Sequence, residues 1–114
     1  MKDNRNLILK KIIEYCDSID ECIAFFGDDE ETFLSNKIYQ KSCAFDIMQI
    51  GELAKSLPKE FKEKYDGVHW RGFTGIRDII AHNYGKIMHE DIWIAITEEI
   101  PAVRAECVRM LSEK

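Results

Sequence analysis

Apolar residues recur at steps of three and four along almost the whole chain, and only two prolines and six glycines interrupt them. That period is the turn of an α-helix, whereas a half-buried strand would alternate residue by residue. Helices tolerate few breakers, so the scarcity of Pro and Gly points the same way. The sequence therefore predicts an all-α protein, an up-and-down bundle of four to five helices. Hydrophobic residues make up 46% and charged residues 32% of the chain, a balance that can build a core and excludes a disordered segment. With 114 residues there is room for a single domain over 1–114, near the size at which buried surface leaves modest stability and a dimer would help.

The helices can be placed in order. A first one over 5–26 carries Ile8, Ile12, Tyr15, Ile19, Cys22, Ile23 and Phe26 on its apolar side, and Gly27 ends it. The acidic cluster Asp28-Asp29-Glu30-Glu31 lacks the alternating oxygen ligands of a calcium loop and reads as a solvated turn. A second long helix over about 35–56 stops before Leu57-Pro58. Its later half, from Ala44 through Phe45, Ile47, Met48, Ile50, Leu53 and Ala54, is apolar on more than one side, which suggests burial against the core and against a second subunit. Gly51 inside it costs roughly 1 kcal/mol relative to alanine, a cost that close approach of another helix would justify. A short helical stretch over 58–65 and the turn Asp66-Gly67 precede a helix over about 70–81, with Phe73, Ile76 and Ile80 on one stripe and Gly72 and Gly75 open to close packing. The last helix spans about 90–112 and should bend at Pro101, whose ring and missing N–H disrupt the ladder.

No long apolar span and no leader pattern follows Met1, so a cytoplasmic protein without membrane contact is expected. Cys16, Cys22, Cys43 and Cys107 have neither metal-ligand nor disulfide-framework spacing and read as buried thiols; no metal and no cofactor is expected. The net charge of −5 argues against a general nucleic-acid binder. From Val68 to His89, however, the balance is +2 and all three histidines, His69, His82 and His89, fall there. An acidic body with one basic patch suits an anionic target held at one place.

Within that patch stands Arg77-Asp78-Ile79-Ile80-Ala81-His82-Asn83-Tyr84. A guanidinium stays charged at any physiological pH, and an imidazole ordinarily titrates near neutrality, so Arg77 and His82 can hold a phosphate and move a proton. On a straight helix five residues turn by about 140°, so the pair would not share a face. Asn83 and Gly85, tolerant of left-handed backbone, are expected to end the helix near Ala81 to Asn83 and turn His82 and Tyr84 back toward Arg77. Arg77 could instead pair with Glu52 or Asp78, and His82 could cap a helix end. Asp78, Asn83 and Glu52 are candidate supporting residues. Trp70, Trp93 and Tyr65 could stack on bases, although core positions suit them better; His69 and His89 read as surface residues.

An arginine, four residues, a histidine, one residue and a tyrosine, together with Ile50-Gly51-Glu52, Trp70, Gly75, Ile92-Trp93 and Ile100-Pro101, resemble the HepT proteins, a branch of the HEPN ribonucleases. The resemblance covers nearly the whole chain. It implies a HEPN-like bundle dimerising through its helices, a composite cleft, and a metal-independent endoribonuclease acting on tRNA or mRNA as the toxin of a type VII toxin–antitoxin pair. It also implies a partner, an MntA-type minimal nucleotidyltransferase antitoxin, that silences the toxin by transferring AMP to the motif tyrosine, here Tyr84. Arg77 and His82 would be catalytic. The competing possibility is a catalytically silent helical partner of such a transferase, and the intact Arg77, His82 and Tyr84 favour the enzyme.

Overall fold

The structure, a computed structural model, describes residues 4–68 and 70–113. Every regular element among them is helical. Four long segments build the bundle: α1 (Arg5–Phe26), α3 (Lys37–Lys55), α5 (Trp70–Asn83), and a C-terminal segment made of α6 (His89–Ile94), a π turn (Ala95–Glu99) and α7 (Ile100–Ser112). Two short helices, α2 (Glu30–Leu34) and α4 (Lys59–Lys64), join them. The all-α bundle anticipated from the apolar period is thus present. None of these helices is long and apolar enough to cross a membrane.

On α1 the buried stripe is Leu9, Ile12, Cys16 and Ile19. It is rotated from the predicted set, whose Ile8, Tyr15, Cys22, Ile23 and Phe26 flank the core half-buried. Gly27 ends the helix with φ 133°, a left-handed value that favours glycine. The acidic turn is itself partly helical. Asp29 caps α2 by accepting from the Thr32 N–H at 2.9 Å and from its hydroxyl at 2.7 Å, a cap worth about 1 kcal/mol. Phe33 then drops into the core against Tyr39 and Trp93.

Helix α3 is the centre of the bundle, packed on α1 on one side and α5 on another. Cys43, Ile47, Ile50 and Ala54 are fully buried there. Much of its two-sided apolar character is therefore satisfied inside one chain, while Ile38 and Phe45 alone among its large apolar residues stay exposed. The C-terminal segment runs over the predicted span, and a π turn stands just before Pro101, where a bend is expected. The Ile100 N–H bonds the carbonyl of Ala95, five residues back. Widening the helix there accommodates a proline that offers no N–H and whose ring crowds the carbonyl four residues earlier.

All four cysteines are free thiols. Burial pushes the Cys16 and Cys43 thiols far up and the Cys107 thiol up to about 12, so they act as small apolar side chains. Trp70 donates its indole N–H to the Tyr65 carbonyl at 2.9 Å, and Tyr65 is buried with its hydroxyl on Glu113. Trp93 packs between Phe33 and Tyr39. These three aromatics belong to the core rather than to a base-stacking surface. His69 lies outside the described residues.

Candidate functional site

Helix α5 seats the site. Trp70, Phe73 and Ile80 anchor it in the core while Ile79 is exposed, so the side of the helix next to that stripe faces α3. Arg77 leaves the helix on that side. A Cβ on Gly51 would stand 2.5 Å from Arg77 Cγ and 2.6 Å from Arg77 Cβ. The close approach that Gly51 implied is therefore made by the stem of Arg77, within one chain. Gly75 differs, since a Cβ there would meet nothing within 4 Å.

The Arg77 side chain is largely buried, with 14% of it exposed, and two carboxylates hold its guanidinium. Nη1 donates to Asp78 Oδ1 at 2.7 Å and Nη2 donates to Glu52 Oε1. Lys55 Nζ joins from α3, 3.3 Å from the same Asp78 oxygen. Donation from Arg77 and then from Lys55 holds the Asp78 carboxyl below the usual carboxylate range. The ion pairs weighed from the sequence as an alternative role for Arg77 are thus both made. Arg77 Nε is buried without a hydrogen-bond partner.

His82 sits on the last turn of the same helix, exposed, and no described residue bonds its imidazole. The helix continues to Asn83, within the Ala81 to Asn83 range expected for its end. Asn83 then leaves the helical region at φ −159°, ψ 50°, and residues Tyr84–Lys86 form a 3₁₀ turn. The left-handed reversal expected at Asn83 and Gly85 does not occur, because among the described residues the one positive φ is at Gly27. Because α5 is unbroken from Arg77 through His82, the two side chains leave it about 140° apart, and about 7.5 Å apart along the axis. Within one chain they are not turned toward each other.

Tyr84 is half-buried and packs on the core; burial raises its phenol above the ordinary value. Its ring lies 5.9 Å from that of His89, tilted by 57°. His89 is therefore not the free surface residue expected, for it is half-buried with Nδ1 enclosed and unpartnered. The structure so gathers Glu52, Lys55, Arg77 and Asp78 into one cluster and Tyr84 with His89 into another, with exposed His82 and Asn83 between them in sequence. Lys55 escaped the sequence reading, although its place three residues after Glu52 on one helix was the available signal.

Comparison with known proteins now bears on this arrangement. The family model described as "Ribonuclease HepT-like" matches residues 12–110. The chain belongs to the ribonuclease HepT-like family. It is 30% identical over 106 residues to "Putative RNase TTE0752" of Caldanaerobacter subterraneus subsp. tengcongensis, covering 93% of each chain. It is also 30% identical over 106 residues to "Putative RNase MJ0125" of Methanocaldococcus jannaschii, covering 92% of this chain and 89% of that one. To "Probable ribonuclease HepT" of Thermococcus cleftensis it is 29% identical over 76 residues, 67% of this chain and 69% of the other. No solved structure matches the chain. The resemblance carried by the motif residues is thereby established as family membership.

Proposed function

We propose that this protein is a metal-independent endoribonuclease, the toxin of a HepT/MntA-like pair, with Arg77 and His82 as its catalytic residues. The observation that carries the proposal is the seating of Arg77: an aliphatic stem fixed in the Gly51 notch, with exposed carboxylates on the guanidinium Nη atoms and an unengaged imidazole further along the same helix. Membership of a ribonuclease family supports RNA as the substrate.

In the proposed reaction an imidazole takes the proton of the ribose 2′-hydroxyl as its oxygen bonds to phosphorus. The bond from phosphorus to the 5′-oxygen breaks, and an imidazolium delivers a proton to that oxygen. The products are a 2′,3′-cyclic phosphate and a 5′-hydroxyl. Arg77 stabilises charge on the non-bridging oxygens as the substrate phosphate competes with Glu52 and Asp78 for its donors. One exposed imidazole cannot serve as base and acid in a single step. Two protomers meeting across a two-fold axis would supply two copies of His82 and two of Arg77 to one cleft, so the homodimer is part of the proposal. Glu52, Asp78 and Asn83 are supporting residues, the first two by orienting the guanidinium.

Purified protein incubated with tRNA and mRNA, with and without a chelator, tests the chemistry. His82→Ala and Arg77→Ala should each cost about 10²-fold or more in rate with unchanged circular dichroism. Parental activity in His82→Ala, or activity that chelation abolishes, would overturn the assignment, and a monomer in solution scattering would remove the composite cleft. The second possibility, a silent partner of a nucleotidyltransferase, draws on the fact that both Nη atoms of Arg77 are already occupied by carboxylates; absence of any cleavage would favour it.

A further inference from the structure

Between α4 and the first half of α5 lies a groove of about 370 Å³ lined by Lys59, Lys62, Glu63, Trp70, Arg71 and Thr74. Its size falls in the roughly 300–1,000 Å³ range of sites that hold small ligands. Three cations face one carboxylate there, in a chain whose net charge is −5. Lys62 is partly engaged, donating to the Ala54 carbonyl at 3.2 Å and closing the end of α3. The side chains of Lys59 and Arg71, by contrast, make no hydrogen bond or ion pair with any described residue. In a protein with 21 acidic residues for 16 basic ones, two adjacent cations left unpaired on one groove are available for an external anion.

The walls are fixed. Trp70 is nine-tenths buried and tied by its indole N–H, and the Thr74 hydroxyl donates to the Arg71 carbonyl at 3.0 Å. Along α5 the groove lies one turn before the candidate site. Thr74 stands four residues before Asp78 on α5, one turn away on the same face. Lys59, which opens α4, follows four residues after Lys55, the lysine bonded to Asp78. An anionic chain that followed α5 from Arg77 toward the N-terminus of the helix would reach the groove after about 9 Å along the axis.

We propose that this groove is a backbone subsite for single-stranded RNA, with Lys59 and Arg71 each neutralising a phosphate one or two nucleotides from the one held at Arg77. The identity of the ligand rests on the ribonuclease proposal; the site itself rests on the groove, its unpaired cations and its place one turn before Asp78 on α5. An acidic protein segment is the alternative occupant, and it would not share the salt dependence set by RNA phosphates.

The test is fluorescence anisotropy of a labelled single-stranded RNA of about ten nucleotides across a salt series, with His82→Ala as the background. Each phosphate contact on a single strand contributes about 0.7 to the slope of log affinity against log salt. Lys59→Gln with Arg71→Gln should therefore lower the slope by about 1.4 and weaken binding, whereas Lys10→Gln with Lys11→Gln, an equal charge change on exposed positions of α1, should leave it unchanged. Lys59→Arg with Arg71→Lys should keep the parental slope. An unchanged slope in the groove variant, an equal drop in the α1 control, or no binding by the parent would overturn the subsite. If the groove variant loses slope although the parent cuts no RNA, the subsite stands and the catalytic proposal fails. If the parent cuts RNA and the slope is insensitive to the groove, the reverse holds.

Discussion

Alanine at Gly51 and alanine at Gly75 should move stability in opposite directions, although both glycines lie inside helices. Replacing a mid-helix glycine by alanine ordinarily stabilises by about 1 kcal/mol, because the unfolded chain loses freedom. At Gly75 nothing opposes that gain, since a Cβ meets no atom within 4 Å. At Gly51 the added methyl would stand 2.5 Å from Arg77 Cγ and 2.6 Å from Arg77 Cβ. Rotation about χ1 of Arg77 can move Cγ but not Cβ, which is fixed to the α5 backbone. Restoring a van der Waals distance of about 3.5–4.0 Å therefore requires α3 and α5 to separate by about 1 Å. Overpacking of that kind costs about 1–3 kcal/mol, which cancels or exceeds the helix gain.

Thermal unfolding followed by circular dichroism reads the difference, at roughly 4 °C per kcal/mol for a domain of this length. Gly75→Ala should raise the midpoint by up to about 4 °C, and Gly51→Ala should lower it by up to about 8 °C. Moving α5 away from α3 also shifts the guanidinium from Glu52, so Gly51→Ala should lose ribonuclease activity at temperatures where it is still folded. A Gly51→Ala protein that is more stable than the parent and cuts RNA normally would refute the notch as the seat of Arg77.

Two further outcomes are expected. Coexpression with an MntA-type nucleotidyltransferase, followed by intact-mass measurement, should show AMP-sized increments on the parent that vanish in Tyr84→Phe; increments that persist would place the acceptor elsewhere. Burial raises the Asp46 carboxyl above its ordinary value, against a smaller lowering by Ser18. The folded state therefore binds the proton more tightly than the unfolded one, and stability falls as pH rises from the unfolded value, near 4, through the folded one. Asp46→Asn should flatten that part of a urea-midpoint profile, and an unaltered profile would exclude Asp46 as its source.

The apolar period made the long helices legible because burial is decided mainly by which face a residue occupies, and Ile12, Ile19, Ile92, Ile100 and Val103 lie where that period puts them. It could not say which neighbour covers a face. Helix α3 read as half core and half subunit interface; α1 and α5 cover most of it and leave Phe45 exposed, and a central helix and an interface helix carry the same pattern. Helix α2 was hidden for another reason: five residues are too few to show a period, and Asp29 as its cap was legible only as one acid among four.

At the site, residue types and their order were readable and directions were not. That Gly51 wanted a close neighbour follows from glycine's cost in a helix; that the neighbour is the stem of Arg77 depends on the register of α5 against α3, which no local pattern encodes. The left-handed reversal at Asn83 and Gly85 was inferred from what those residues permit, and permission is weaker than requirement. Both also fit the non-helical backbone of Asn83 that closes α5 and the 3₁₀ turn that follows it. An unbroken α5 carries the heavier consequence, since it directs Arg77 inward to Glu52 and His82 outward to solvent. On the proposed roles, a single protomer would hold its phosphate ligand on one side of the helix and its proton carrier on another, so the proposed chemistry calls on a second copy of the chain to bring the two together.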